Sequence, residues 1–196
     1  MKHSLIYLNY DPENRKPWVG TALRSVLSTL TGDDFELLIV KDTEGYVNAV
    51  NKGISLARGD FFHVINDDVI MMEHDWAEKL AQPGVITSWR FNEFFITKEK
   101  LPDGALYCIP RTVFEKLGPL DDRYAKGYGC DEIDYWFTAK LNGVPMLEKQ
   151  INLKHLENKT YQTYFKDLKE NMTGRNHQLF CEKWRDQLPP PHGSKL

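Results

Sequence analysis

A chain of 196 residues with 41% hydrophobic and 12% aromatic content is long enough for one domain with a sizeable core and too short for two comfortable ones. Its formal net charge of −3 supplies no global field for a polyanion or an anionic membrane surface. The three cysteines, Cys108, Cys130 and Cys181, are far apart and form no C-x-x-C pair, which argues against a disulfide framework or a zinc knuckle and for a reducing, cytoplasmic home. No apolar run has the length of a signal h-region or a spanning helix, so a soluble protein is expected.

In chain order, residues 4–10 (SLIYLNY) read as a buried first strand that runs out at polar Asn9 and Tyr10. A helix follows, with Val19, Leu23, Val26, Leu27 and Leu30 at helical spacing and Pro17 suited to its first turn. Residues 35–42 (FELLIVKD) form a second strand. The spacing of Val47, Val50, Ile54 and Ala57 predicts a short helix closed by Gly59 in a left-handed cap. Residues 61–65 (FFHVI) are the third strand, ending at Asn66, Asp67 and Asp68.

The second half continues with a helix over 74–82, extended segments over 84–89, 92–100 and 104–109, a helix over 111–118 after Pro110, and a helix over 130–143 ending on Gly143. Residues 145–156 (PMLEKQINLKHL) read as one final strand, helical segments run from Tyr161 to Leu188, and 189–196 is a frayed tail. Nearly all-apolar strands alternating with helices predict an α/β three-layer sandwich around a mostly parallel sheet. A single domain is expected: residues 1–72 as a nucleotide-binding half, 73–160 as an acceptor and catalytic half, 161–188 as closing helices.

In open α/β sheets the ligand crevice lies beyond the carboxyl ends of the strands, where Asn9, Asp42, Asp67 and Asp68 all fall. Adjacent carboxylates at a buried strand end need a counter-charge. A hard divalent cation is one answer, and a solvated turn, where aspartate is common, is the other. Asp131, Glu132 and Asp134 open a predicted helix, where carboxylates are stabilised by the helix dipole; alternatively one of them serves as a general base. Gly127, Tyr128 and Gly129 before them read as a flexible loop able to close over a sugar or base. His155 stands at the end of the last strand as a candidate third ligand. Trp89, Tyr128 and Trp136 are aromatics able to stack on a substrate or to fill the core.

Taken together these stretches resemble the inverting glycosyltransferases of the GT-A fold, family-2 type. The resemblance rests on residues 4–14 (SLIYLNYDPEN), 44–71 (EGYVNAVNKGISLARGDFFHVINDDVIM) and 104–143 (GALYCIPRTVFEKLGPLDDRYAKGYGCDEIDYWFTAKLNG), with order and spacing kept. It implies that Asn9 and Tyr10 line a nucleoside pocket, that Asp42 binds the uracil edge, and that Asp67 contacts the ribose or assists the metal. It further implies that Asp68 and His155 hold Mn2+ or Mg2+, and that Glu132, or its neighbour Asp131, is the base. Three departures stand out: the acidic pair is Asp-Glu instead of Glu-Asp, a stretch that most members carry after Asp42 is missing, and Lys41 and Leu8 replace an aspartate and a proline of the family pattern.

The expected activity is transfer of a sugar from a nucleotide-diphosphate donor, a UDP-sugar, to an acceptor hydroxyl by direct displacement. The acceptor is left open among a glycan, a protein, a small molecule and a modified nucleic acid, with Tyr128 and Trp89 as candidate contacts. No membrane span and no obligate protein partner is expected. The rival readings are a nucleotidyltransferase, for which residues 9–17 (NYDPENRKP) lack the usual glycines, and a silent nucleotide-sugar-binding module.

Overall fold

The computed structural model describes residues 3–10, 17–41, 45–94, 96–156 and 169–188, with side chains of 169–173 not included. Alternating apolar residues bury strand β1 (His3–Asn9) along its whole length: Ile6 and Leu8 enter one apolar layer, Leu5 and Tyr7 the other. The same alternation recurs in β3 (Phe61–Asn66), through Phe62 and Val64 against Phe61 and Ile65. In β8 (Leu106–Pro110) it sets Tyr107 and Ile109 against Leu106 and Cys108. Strands apolar on both faces must be covered on both.

Helices α1 (Val19–Ser28) and α3 (Trp76–Leu80) cover one face through Val19, Val26, Trp76 and Leu80. On the other face lie α2 (Tyr46–Leu56), α4 (Arg111–Leu117), α5 (Asp131–Leu141) and α6 (Lys169–Lys183), which contribute Val50, Val113, Trp136 and Phe180. Each fully buried large apolar side chain stabilises the fold by about 1.5–3 kcal/mol.

With β2 (Phe35–Lys41), β5 (Ile86–Ser88) and β9 (Met146–Glu148), the sheet order is β2-β1-β3-β8-β5-β9. Strand β1 runs parallel to β2 and β3, and β9 parallel to β5, while β8 is antiparallel to both its neighbours. The mostly parallel three-layer sandwich expected from the sequence is the one found. Two small pairs stand outside the main sheet: β4 (Val69–Met71) with β10 (Leu153–His155), and β6 (Phe91–Glu93) with β7 (Lys100–Pro102). The ends of β1, β3 and β5 and the start of β8 therefore share one rim.

Three sequence expectations need correction. The strand over 145–156 is two, because β9 joins β5 in the main sheet while β10 leaves to pair with β4. The segment over 92–100 folds back as the β6–β7 hairpin, where Lys98 takes φ 60° and its N–H reaches the Phe94 carbonyl at 2.8 Å. Helix α2 ends at Leu56 with Ala57 extended at φ −70°, and Gly59 is not left-handed; its N–H is spent on the Ser4 hydroxyl at 2.8 Å. Asp42, residues 157–168 and the 189–196 tail lie outside the described residues.

Candidate active site

At the end of β3 the chain turns through Asp67 and Asp68, which are 1% and 5% exposed. They are not the solvated turn that aspartate frequency alone would suggest. Asp67 Oδ2 accepts the Tyr10 N–H at 2.9 Å, so the carboxylate fixes the chain leaving β1. The Tyr7 hydroxyl donates to the Val19 carbonyl at 3.2 Å and to the Asp67 carbonyl at 3.4 Å, tying the same turn to α1. Asn9, at 9% exposure, closes β1 beside them.

Asp68 faces His155, brought in by the β4–β10 pairing that sets His155 against Val69. Oδ1 of Asp68 lies 3.3 Å from Nε2 of His155, yet that oxygen has no aligned hydrogen bond among the described residues, and His155 Nδ1 has none either. Burial by itself would lower the His155 imidazole, but the neighbouring Asp68 carboxylate outweighs it and leaves the ring above its ordinary value. An orphaned buried carboxylate oxygen opposite an imidazole nitrogen is the donor set a divalent cation uses, and neighbouring ligands of an octahedral ion of this size sit about 3 Å apart. The residues fit such an ion. Among the described residues no group of three or more His, Cys, Asp and Glu could hold one, so Asp68 and His155 supply two ligand positions of such a site.

Trp89, just beyond β5, meets the His155 ring edge to face, with centroids 6.2 Å apart and planes at 86°. It is held there from several sides. Its indole N–H donates to Asp103 Oδ1 at 3.2 Å, and the Arg90 guanidinium lies over its ring at 4.3 Å. Asp103 also accepts from the Ala105 N–H at 2.8 Å, from Arg90 Nε at 3.0 Å and from Asn92 Nδ2 at 2.6 Å. Sequence reading did not single out Asp103; the only local signal was an Asp-Gly turn dipeptide. The turn it organises also reaches β3, through the Asn66 N–H and the Ala105 carbonyl at 3.0 Å.

Gly104, next in that turn, is the surface on which Glu132 rests, since a Cβ there would come within 2.9 Å of Glu132 Oε1. Burial, followed by the Asp131 carboxylate one residue away, pushes the half-buried Glu132 well above the ordinary carboxylate range. Asp131 itself, 6% exposed, accepts the Glu132 N–H at 3.0 Å, capping the first turn of α5 from within. Tyr46 completes this side, donating to the Gly104 carbonyl at 3.3 Å and meeting the Tyr107 hydroxyl at 3.1 Å. The contacts thus run without a break from Asp68 to His155, Trp89, Asp103, Gly104 and Glu132.

The third acidic residue of the α5 cluster has another job. Asp134, 2% exposed, accepts from Tyr124 Oη at 3.1 Å, from Trp184 Nε1 at 2.8 Å and from Lys183 Nζ at 2.7 Å, which docks the C-terminal helix and the turn after it. The glycine loop before α5 is anchored, contrary to the flexible loop the sequence suggested. Asn176 of α6, fully buried, donates to the carbonyls of Tyr124 at 3.1 Å and Gly129 at 2.9 Å, and a Cβ on Gly127 would overlap its amide. Tyr128 sits half-buried in this anchored loop. Trp136, 1% exposed and edge-on to Tyr107, belongs to the core.

An open cleft of about 760 Å3 lies elsewhere, between α2, α4 and α5, lined by Asn51, Phe114, Leu117, Tyr135 and Thr138. Asp134 also lines it, but Asp67, Asp68, Asp131 and Glu132 do not.

No protein-family model matches the chain, and no curated protein does. Solved structures do. The catalytic domain of Drosophila beta1,4-galactosyltransferase 7 in complex with xylobiose superimposes with a TM-score of 0.63 at 10% identity, over 83% of this chain and 73% of that one. A mutant of the same enzyme in complex with manganese, UDP-Gal and xylobiose gives 0.61 at 9% identity, over 83% and 74%. A mannosyltransferase from Pyrobaculum calidifontis, in complex with GDP-Man and Mn2+, gives 0.64 at 17% identity, over 97% of this chain and 66% of that one. The chain has the fold of the GT-A glycosyltransferases. Among the described residues no helix is long and apolar enough to cross a membrane.

Proposed function

We propose that the chain is a metal-dependent inverting glycosyltransferase, moving a sugar from a nucleotide-diphosphate donor, read as a UDP-sugar, to an acceptor hydroxyl. The observation that carries this reading is the unaligned Asp68–His155 pair, linked by continuous contacts to a carboxyl, Glu132, whose proton is held unusually high. The similar folds bound to UDP-Gal and manganese, and to GDP-Man and Mn2+, support it.

In this reading Asn9 and Tyr10 line the nucleoside pocket, Asp42 meets the base edge, and Asp67 holds the β1 turn beside the ribose. Asp68 and His155 would hold the cation, which would supply positive charge to a departing diphosphate. Glu132, with Asp131 as its neighbour and alternate, takes the proton of the acceptor hydroxyl as that oxygen bonds to the anomeric carbon. The bond from that carbon to the diphosphate breaks on the opposite face, so the configuration inverts. Glu132 suits the task because a base with a raised pKa is a stronger proton acceptor once ionised. Trp89 and Tyr128 flank the acceptor side. The free thiols Cys108, Cys130 and Cys181 agree with a reducing cytoplasm.

The test is a thermal-shift screen of nucleotide sugars with manganese, repeated on Asp68→Ala. Stabilisation by a UDP-sugar that disappears in the variant supports donor and metal roles together. Stabilisation of the native chain by no nucleotide contradicts both.

A further inference from the structure

A histidine that holds a metal ordinarily has its second ring nitrogen bonded to a carboxylate or carbonyl, which fixes the ring's orientation. His155 departs from that pattern: its Nδ1 is buried and has no partner among the described residues. Among the described residues, other contacts aim the ring. Trp89 meets the ring at right angles, with centroids 6.2 Å apart, and the indole is itself held by Asp103 at its N–H and by Arg90 over its ring.

Asp103 is built for that task. It is 8% exposed, and its two oxygens accept four hydrogen bonds: Trp89 Nε1 and the Ala105 N–H on Oδ1, Arg90 Nε and Asn92 Nδ2 on Oδ2. All four are donors, so an ionised carboxylate satisfies them and an amide cannot. An asparagine here would turn its NH2 toward two N–H groups whichever way it flipped. Removing the charge therefore disturbs the indole even though the side chain keeps its shape.

We propose that Asp103, acting through Trp89, is a positioning residue that orients His155 toward Asp68. The inference rests on the metal-dependent reading above and deepens it: the carboxylate that usually bonds the histidine directly is replaced by a carboxylate–indole relay across 6.2 Å of ring contact. Trp89 is then part of the support beneath the cation, in contact with His155 and with Arg90 over its ring.

Two measurements separate this inference from the reading it rests on. The first uses no metal: the His155 ring carbon-bound protons, observed by NMR in the full chain, are shifted by the Trp89 ring current and move in Asp103→Asn and in Trp89→Phe. The second is the manganese affinity in the presence of UDP, followed by electron paramagnetic resonance. Loss of a supporting partner typically weakens metal binding by about tenfold or more, and Asp103→Asn and Trp89→Phe should show it. Glu36→Gln is the control, a comparably bonded carboxylate (Ser4 Oγ at 2.7 Å, Arg58 Nε at 2.8 Å) at the opposite end of the strands; it leaves both readouts unchanged. Trp89→Phe keeps the Asp103 turn and serves if Asp103→Asn does not fold. Unmoved His155 resonances, or native manganese affinity in the folded variants, overturn the inference alone. Absence of manganese and UDP binding in the native chain overturns the metal reading and the inference with it.

Discussion

Asp68 Oδ1 and His155 Nε2 face each other across 3.3 Å, and the carboxylate oxygen has no aligned hydrogen bond among the described residues. A protein that needed only stability would align such a bond or remove the pair, because a buried unsatisfied oxygen costs about 1–3 kcal/mol. The pair makes sense as a place kept for a third atom. The predictions below follow from that site and from the network behind it.

Replacing the proposed base should separate binding from turnover. Glu132→Gln is expected to retain donor binding and to lose at least about a hundredfold in kcat, the ordinary contribution of a positioned base. Steady-state transfer and donor titration check it; unchanged turnover moves the role to Asp131.

The raised Glu132 carboxyl predicts an acidic limb in the pH–rate profile above the ordinary carboxylate range. Since the Asp131 charge opposes ionisation of Glu132, Asp131→Asn should carry the limb to lower pH. The same shift affects stability. A carboxyl whose folded pKa lies above its unfolded value binds more protons when folded, so stability falls as pH rises from about the ordinary glutamate value through the raised one. Glu132→Gln should therefore be more resistant to urea than the native chain at neutral pH, a stability gained at the expense of activity.

The opposite sign holds at the other end of the sheet. His63, fully buried, lies 3.0 Å from His3 Nδ1 and edge-on to Trp76, and burial, with His3 adding to it, holds its pKa well below 6.5. The unfolded chain then binds more protons, and stability is lost as pH falls below about 6.5. Urea midpoints at pH 5 and pH 7 should differ less in His63→Gln than in the native chain; an equal difference contradicts the assignment.

Gly127 and Asn176 should behave as one unit. Gly127→Ala forces a methyl into the Asn176 amide and is expected to destabilise by about 1–3 kcal/mol. Combined with Asn176→Ala, which removes the obstacle, the two losses should sum to less than the separate values, as measured by a double-mutant cycle. Additive losses would mean that the clamp is not formed.

Much of this architecture was legible in sequence because it is local. Apolar runs at β1, β3 and β8, helical spacing in α1 and α2, and polar residues where strands run out are all local features of the chain. What was not legible depends on distant partners. Nothing near residues 145–156 indicates that Met146–Glu148 pairs with β5 while Leu153–His155 pairs with β4. Asp134 looked like its helix neighbours Asp131 and Glu132, and only Lys183 and Trp184, some fifty positions later, show that it holds the C-terminal helix. Asp103 drew no notice for the same reason: its donors come from Trp89, Arg90, Asn92 and Ala105, which the hairpin brings together only in the fold.

The central claim is that a divalent ion sits between the Asp68 carboxylate and the His155 ring. Anomalous diffraction at the manganese edge, from crystals soaked with manganese and UDP, tests it most directly. A single strong peak within coordination distance of Asp68 Oδ1 and His155 Nε2, continuous with density for the diphosphate, is the predicted result. Nucleotide bound at the rim with no anomalous peak beside that pair would contradict it.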